Sequence, residues 1–361
     1  MFYYLLYPFK DEFPFLRIFG YVTFRTLFAA ITAMVIVFYI GPKFFRYMKN
    51  IDFKENIRDD GPQSHHSKAG TPTMGGILML ISLTISVLLW GNLGNAYVLI
   101  ILVSTILLGL VGFSDDYSKA MKKRKYGMSA RTKFILQNII ALVFSLLIYN
   151  FSSAETIQTF IYIPFLKDPV LDLGIFIIPF WVFIITGFSN AVNLTDGLDG
   201  LASGLSMIAM TALSVFAYLT GISSIARYLL IPFIPEVNEL AIFLAAFIGS
   251  GVAFLWYNSY PAQVFMGDTG SLALGGAIAM SAIMVKRELL LVILGGIFVA
   301  ETVSVILQVG SFKLRKKRIF KMAPVHHHFE LSGWHENKVV VRFWIIGVLL
   351  AIISLSSLKI I

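Results

Sequence analysis

Apolar residues occur along this chain in long runs that short polar stretches separate. Each run is close in length to the ~20 residues that an α-helix needs to cross the hydrocarbon core of a bilayer. Because lipid cannot hydrogen-bond to exposed backbone, runs of this length predict a bundle of transmembrane helices. We expect ten spans, at 21–40, 73–90, 96–113, 133–151, 173–189, 201–220, 239–257, 271–285, 288–310 and 339–358.

The composition supports an all-α, polytopic membrane protein. Hydrophobic residues make up 57% of the 361 residues and charged residues 14%, whereas soluble domains carry about 25% charged residues. Cysteine is absent, so disulfides and thiol chemistry are excluded. The segment 1–9 lacks the basic and small-residue features of a cleaved signal peptide. Since no flexible linker divides the chain, we expect one integral membrane domain over 1–361.

Basic residues are distributed unevenly between the two sides of the predicted bundle. With the N-terminus outside, the loops 41–72, 114–133 and 311–338 hold twenty Lys and Arg residues, and the opposite side holds seven. The positive-inside rule then places the first set in the cytoplasm and both termini outside. The outer loops 152–172 and 221–238 have room for a short strand pair or a helix, but contain few groups suited to chemistry.

The first polar motif lies where the third span meets a basic loop. Asp115 and Asp116 follow that span directly, and an ionisable residue at such a boundary is by default a functional candidate. Two adjacent carboxylates repel each other near a low-dielectric boundary, and a bound divalent cation would relieve the repulsion. The pair is also compatible with a solvated helix terminus.

The second motif is Asn190-Ala-Val-Asn-Leu-Thr-Asp-Gly-Leu-Asp-Gly200, which follows the fifth span. It is dense in oxygen ligands, and Asp196 and Asp199 would share one face if this stretch were helical. The spacing of its oxygens does not match a calcium-binding EF-hand loop. The structural alternative is that these side chains cap the next helix.

The third motif runs from Asn258 to Ser271 and contains Phe265 and Asp268. Asp268 has the position of an N-cap for the eighth span. The N–H groups at such a helix start can instead bind an anion such as a pyrophosphate. Phe265 can stack on a nucleobase, or it can serve as an interfacial anchor.

Two further motifs carry histidine and lysine. His326, His327 and His328 lie in the last basic loop, and without cysteine we favour contact with phosphate over zinc binding. Lys68 lies just before the second span, where its charge can meet a substrate phosphate. The chain has no Walker loop and no Gly-x-Gly-x-x-Gly turn, so neither ATP hydrolysis nor a bound dinucleotide is indicated.

These five motifs, in this order, resemble those of the bacterial phospho-N-acetylmuramoyl-pentapeptide transferases, a family of polyprenyl-phosphate N-acetylhexosamine-1-phosphate transferases. The resemblance runs from Lys68 to Arg342, and the motif Pro-Val-His-His-His-Phe-Glu330 favours this family over relatives that use UDP-N-acetylglucosamine. It implies transfer of phospho-N-acetylmuramoyl-pentapeptide from UDP to undecaprenyl phosphate, which yields lipid I and UMP. It also implies Mg²⁺, peptidoglycan synthesis for the cell wall at the bacterial inner (cytoplasmic) membrane, and a homodimer.

The resemblance assigns roles to the motif residues. Asp268 is the expected principal Mg²⁺ ligand, and Asn193 is a second choice for the metal. Lys68 and His326 are expected to contact substrate phosphates. Residues expected to bind substrate are Asn193, Asp196, Asp199, Asn258, Phe265, His327 and His328, with uridine recognised by Asp199, Asn258 and Phe265.

The role of the aspartate pair is open. Asp115 is the family's usual candidate for a base that deprotonates the lipid phosphate. A phosphate monoester with a second pKa of about 6 is already mostly dianionic at pH 7, so such a base would gain little. Asp115 and Asp116 can instead orient the acceptor and the metal. A covalent route, in which an aspartate attacks phosphorus first, is also open, although it brings two anions together.

Two other functions are compatible with the pattern. A sister transferase would use the same metal chemistry on a different sugar nucleotide. A transporter would also contain about ten helices with charged residues, but transport sites lie near the bilayer midplane. Here the charged motifs gather at one membrane face, which favours the transferase.

Overall fold

The computed structural model describes residues 1–50, 70–121, 127–152 and 157–359. These ranges are mostly helical, which confirms the all-α class. The helices are α1 Phe2–Leu6, α2 Val22–Asn50, α3 Gly76–Trp90, α4 Ala96–Met121, α5 Ala130–Phe151, α6 Ile177–Thr195, α7 Leu201–Thr220, α8 Ser223–Leu229, α9 Leu240–Asn258, α10 Gly267–Met284, α11 Leu290–Leu294, α12 Gly296–Arg315, α13 Val325–Glu330 and α14 Glu336–Ser356. A two-stranded antiparallel hairpin, β1 Phe160–Ile161 with β2 Leu171–Asp172, lies between α5 and α6.

Each of the ten predicted spans overlaps one long helix of this set. Within the described ranges, eight helices are long and apolar enough to cross a membrane: α2, α4, α5, α6, α7, α9, α12 and α14. The other two long helices differ from these in length or in composition. Helix α3 has only 15 residues, and α10 is rich in Gly, Ser and Ala.

Helix α10 is the centre of the bundle. All of its residues from Thr269 to Met284 are buried, and it packs against α3, α4, α6 and α7. Small residues allow such close helix contacts in membranes. A Cβ at Gly112 of α4 would lie 2.2 Å from the carbonyl oxygen of Asp268, so only glycine permits this approach. Because α10 is enclosed by protein, it does not need a strongly lipophilic surface.

Two of the predicted boundaries were wrong. Asp115 and Asp116 do not follow the end of their helix, because α4 continues to Met121. The ninth span, 288–310, is not one continuous helix, since it is interrupted at Gly295 between α11 and α12. The room for a strand pair and a helix in the outer loops is filled by the β1–β2 hairpin and by α8.

Buried ion pairs connect helices at the end of the bundle opposite Asp268. Arg25 at the start of α2 binds both carboxylate oxygens of Glu239, with Nη1 2.8 Å from Oε2. Just beyond the C-terminus of α10, Lys286 Nζ lies 2.8 Å from Glu288 Oε1, which also accepts a hydrogen bond from Trp181 Nε1 at 3.1 Å. These contacts join α2 to α9 and α6 to the turn after α10.

Candidate active site

Polar side chains from four helices meet beside the N-terminus of α10. Asp115 and Lys119 come from the last two turns of α4, and Lys133 comes from the first turn of α5. Asn193 lies in the last turn of α6, and Asp268 lies in the first turn of α10. The sequence motifs therefore converge because α4 and α6 end where α5 and α10 begin.

Asp268 is the most highly connected carboxylate of this cluster. Its Oδ2 accepts hydrogen bonds from Lys119 Nζ at 3.0 Å and from Lys133 Nζ at 2.8 Å. Its Oδ1 accepts one from Asn193 Nδ2 at 2.7 Å, and the same amide nitrogen lies 2.8 Å from Ser271 Oγ. Asn193 therefore presents its amide nitrogen to Asp268, which orients the carboxylate.

Asp115 shares the same two lysines. Its Oδ2 lies 2.8 Å from Lys119 Nζ and 3.7 Å from Lys133 Nζ. Its Oδ1 accepts a hydrogen bond from the backbone N–H of Met128, which anchors the segment just before α5. Two carboxylates and two ammonium groups thus form one cluster with balanced charge.

Asp116 has a different environment from its neighbour. Its carboxylate accepts hydrogen bonds from the backbone N–H groups of Asp268 at 3.1 Å and Thr269 at 2.9 Å, and from Thr269 Oγ1 at 2.7 Å. Asp116 is therefore the cap of α10, supplied from another helix. The structural alternative for Asp268, an N-cap, does not hold, since Met266 has that position and makes no side-chain capping bond. The two N–H groups proposed for an anion are bound to Asp116.

The polar block before α3 pairs with the block before α10. The N–H of Phe265 donates to Pro72 O at 2.8 Å, and the N–H groups of Gly75 and Gly76 donate to Phe265 O and Met266 O, each at 2.9 Å. These bonds hold the motif at 72–76 beside the Asp268 cluster. Lys68, expected to contact phosphate, lies outside the described residues.

The residues expected to recognise uridine surround the loop between α9 and α10. Asn258 is buried, accepts a hydrogen bond from Ser203 Oγ at 2.9 Å, and donates to Val264 O at 2.9 Å. Asp199 Oδ2 accepts from the N–H of Ala262 at 2.9 Å. Both side chains therefore brace the loop that carries Phe265, whose ring is half-buried.

The stretch from Asp196 to Gly200 is a turn and not a helix. It connects α6, which ends at Thr195, with α7, which begins at Leu201. The two aspartates therefore do not share a helix face. The N–H of Asp199 donates to Glu336 Oε1 at 2.8 Å, which ties the turn to the start of α14.

The three histidines have three different surroundings. His326 is fully buried, with Nδ1 3.2 Å from Glu301 Oε2 in α12. His327 Nδ1 lies 2.8 Å from Glu330 Oε2 in the same short helix. His328 Nδ1 accepts a hydrogen bond from the N–H of Lys321 at 3.1 Å. Helix α13 therefore brings the ring of His326 against Gly197 in the Asp196 turn.

Three polar residues of this region were missed in the sequence. Lys119 and Lys133 were counted only as determinants of topology, although Lys119 is one helical turn after Asp115 and so shares its face. Glu301 is the only Asp or Glu inside the apolar stretch 289–310, and a carboxylate in such a segment is itself a functional signal.

The donor set of this cluster fits a hard divalent cation. Asp115 Oδ2 and Asp268 Oδ2 lie 2.8 and 3.0 Å from the same atom, Lys119 Nζ, so two carboxylate oxygens converge on one cationic position. Mg²⁺ typically uses one or two carboxylates and keeps several waters. In the part of the chain that the structure describes, no three His, Asp or Glu side chains form a group able to hold a metal.

Comparison with known proteins shows which family the chain resembles. The model of glycosyl transferase family 4 matches residues 98–286, and signature 1 of the phospho-N-acetylmuramoyl-pentapeptide-transferases matches residues 68–80. Proteins named phospho-N-acetylmuramoyl-pentapeptide-transferase from two strains of Leptospira biflexa serovar Patoc are each 54% identical over 369 residues. These alignments cover 100% of this chain and 100% of each relative.

Proposed function

The chain belongs to the phospho-N-acetylmuramoyl-pentapeptide transferase family within glycosyl transferase family 4, and on this premise we propose the reaction that it catalyses. It transfers phospho-N-acetylmuramoyl-pentapeptide from the UDP-activated form to undecaprenyl phosphate. The products are lipid I and UMP, and the reaction is the first membrane step of peptidoglycan synthesis. Attack by an oxygen of the lipid phosphate on the β-phosphorus breaks the bond to the UMP oxygen.

The observation that carries this proposal is the cluster of two carboxylates and two lysines at the N-terminus of α10. Phosphoryl transfer depends mainly on positioning and on stabilisation of charge on the phosphate oxygens. Lys119 and Lys133 are the cations available for those oxygens, and Lys119 is 44% exposed at its side chain, so a substrate can reach it. When a diphosphate substrate binds, its oxygens can replace Asp268 as partners of these lysines.

Mg²⁺ is the cofactor that we assign to this cluster. Asp268 and Asp115 would hold it, and Asn193 would orient Asp268 through the hydrogen bond to Oδ1. A bound Mg²⁺ supplies a Lewis acid that stabilises negative charge on the diphosphate and on the leaving UMP. Asp116 keeps α10, and with it Asp268, in place through its three capping bonds.

The geometry favours an orienting role for Asp115. One of its oxygens is bound to Met128 N–H and the other to Lys119, so both are already engaged. The lipid phosphate is mostly dianionic at pH 7 and needs no base. We therefore assign Asp115 to holding the lysines and the metal, and the loop braced by Asp199 and Asn258 to the uridine end, with Phe265 stacking on uracil.

The remaining motif residues complete the proposed site. His327 and His328 bind substrate near the Asp196 turn, and Lys68 contacts a substrate phosphate. The excess of Lys and Arg in the loops on the side of the cluster supports a position at the cytoplasmic face of the bacterial inner membrane. That orientation suits a reaction whose nucleotide substrate is made in the cytoplasm.

The test is UMP release by the purified protein in detergent, with each substrate and Mg²⁺ omitted in turn. We expect release only when both substrates and Mg²⁺ are present, and loss of release in Asp268→Ala. Asp168→Ala is the matched control, because Asp168 is exposed in the β1–β2 hairpin connection. Turnover of UDP-N-acetylglucosamine in place of the muramoyl-pentapeptide substrate would overturn the proposal in favour of a sister transferase.

A further inference from the structure

Glu301 is a buried carboxylate that the proposed reaction does not yet use. It lies in α12 with none of its side chain exposed, and its Oε2 is 3.2 Å from His326 Nδ1 and 3.4 Å from the backbone nitrogen of His326. Within the described ranges, Glu301 Oε1 and both ring nitrogens of His326 are buried and make no hydrogen bond. The two side chains therefore meet through the contact between Oε2 and Nδ1, and both are enclosed by protein.

The contact with Glu301 defines the orientation of the imidazole ring of His326. Because Nδ1 is turned to Glu301, Nε2 is turned to the opposite side of the ring, where Gly197 lies. A Cβ at Gly197 would be 2.4 Å from Nε2, so the ring is in direct contact with this glycine and no larger residue fits. Gly197 follows Asp196 in the turn that links α6 to α7. The ring of His326 therefore fills the space between α12 and that turn.

We propose that Glu301 is a positioning residue, which acts on the transfer reaction through His326. Its Oε2 lies 3.2 Å from Nδ1, and this contact holds Nε2 against the turn at Asp196 and Gly197. A carboxylate beside one ring nitrogen fixes the orientation of a histidine ring. The turn then presents Asp196 to the diphosphate substrate, and in this respect the inference rests on the function proposed above.

A purely structural role predicts something different. A buried carboxylate–imidazole pair contributes little net stability, because desolvation offsets the attraction between the two groups. Removing the pair as a whole should therefore cost less stability than removing either partner alone. If the pair exists to orient the turn, activity should fall whenever either partner is lost.

The experiment is a double-mutant cycle with Glu301→Ala, His326→Asn and the double variant. UMP release gives kcat and KM, and intrinsic tryptophan fluorescence gives Tm, which suits a chain with five Trp and no Cys for thiol dyes. We expect Glu301→Ala to lower kcat by about 10- to 100-fold, as for removal of other groups that orient a functional histidine. In the His326→Asn background, the same substitution should change kcat by less than about twofold.

Two further variants sharpen this cycle. Glu301→Gln keeps a side chain of the same size and an oxygen at the contact with Nδ1, so it should retain more activity than Glu301→Ala, and it replaces that variant if the alanine protein fails to fold. Ser304→Ala is the matched control, since Ser304 Oγ donates to the backbone oxygen of Glu301 at 2.7 Å without contacting the carboxylate. It should leave kcat within about twofold of the wild type.

Independent losses that multiply in the double variant would overturn the inference, and so would a loss in Ser304→Ala as large as in Glu301→Ala. Absence of UMP release from the wild-type protein would instead refute the proposed function. The Tm cycle would still test the pair in that case, because additive Tm changes would show that Glu301 and His326 are not coupled.

Discussion

Ion pairs lie at both ends of α10, but the charges are partnered in different ways. At the Asp268 end, two carboxylates share two lysines, and each lysine contacts both carboxylates. At the other end, Lys286 binds Glu288, and on the same side of the bundle Arg25 binds Glu239 through two hydrogen bonds. At the Asp268 end each charged group has two partners of opposite charge, and we call this the shared arrangement. At the other end each of these charged groups has one such partner among the described residues, and we call this the closed arrangement.

This difference indicates which end can exchange partners with a ligand. A lysine at the Asp268 end can turn to a substrate phosphate while the other lysine still neutralises the carboxylates. Arg25 is 1% exposed and Lys119 is 44% exposed at the side chain, so only the latter can reach a ligand without unfolding. We conclude that one end serves chemistry and the other serves stability.

The largest effect is expected where the closed arrangement is broken. Glu239→Gln leaves the Arg25 charge buried without its carboxylate, which should lower the free energy of unfolding by about 3–5 kcal/mol. The kcat of the folded protein should not change. Thermal unfolding and UMP release measure the two quantities, and Asp11→Asn, which affects an exposed pair at 3.8 Å, is the control. A loss of kcat with unchanged stability would contradict the division between the two ends.

The opposite pattern is expected at the shared end. Asp268→Asn removes the charge that orients both lysines and binds the metal, so kcat should fall by about 10²–10³-fold, the range for losing one charge-stabilising group. Tm should change little, because Lys119 and Lys133 still have Asp115. Steady-state UMP release and tryptophan fluorescence provide the measurements. Activity within about twofold of the wild type would show that Asp268 is not at the reacting centre.

A smaller effect is expected from the cap that links the site to the fold. In Asp116→Asn, the amide oxygen can replace only one of the two carboxylate oxygens, so at least one N–H group of α10 loses its acceptor, which should destabilise the protein by about 1–2 kcal/mol. Thr269→Ser keeps the hydroxyl donor and loses only a methyl group, so it should destabilise the protein by less than about 1 kcal/mol. Thermal unfolding of both variants tests this. A wild-type Tm for Asp116→Asn would show that the carboxylate is not a cap.

The smallest effect is expected from a single hydrogen bond at the closed end. Trp181→Phe removes the Nε1 donor to Glu288 Oε1 and keeps most of the ring. It should lower the free energy of unfolding by about 0.5–1 kcal/mol, with no change in kcat. A fall in kcat without loss of stability would link this end of α10 to the reaction.

The sequence predicted the helices well, because long apolar runs are a direct physical consequence of a bilayer. It also located α10, a helix whose modest hydropathy reflects burial in protein and not exposure to lipid. Two features of the helices were not predicted from the sequence. The break at Gly295 depends on local packing, and the extension of α4 past Asp115 depends on partners that come from α5 and α10.

The sequence predicted which residues form the site better than it predicted the contacts between them. Motif positions indicated Asp115, Asn193 and Asp268, and the structure brings these three together. Periodicity could not reveal that Asp116 caps α10, since that bond joins residues 152 positions apart. Glu301 was detectable as a lone carboxylate in an apolar segment, but its partner, His326, is defined only by the fold.

Direct transfer at the Asp268 cluster is tested most directly by tracing the β-phosphorus of the nucleotide substrate. In a single turnover, UDP-N-acetylmuramoyl-pentapeptide labelled at the β-phosphate is mixed with the protein, Mg²⁺ and undecaprenyl phosphate, and the label is measured in lipid, water and protein fractions. We expect the label to appear in the lipid fraction, one labelled phosphate for each UMP released, and no UMP to form without the acceptor. Label bound to protein, with UMP released before the lipid is added, would contradict direct transfer at the Asp268 cluster.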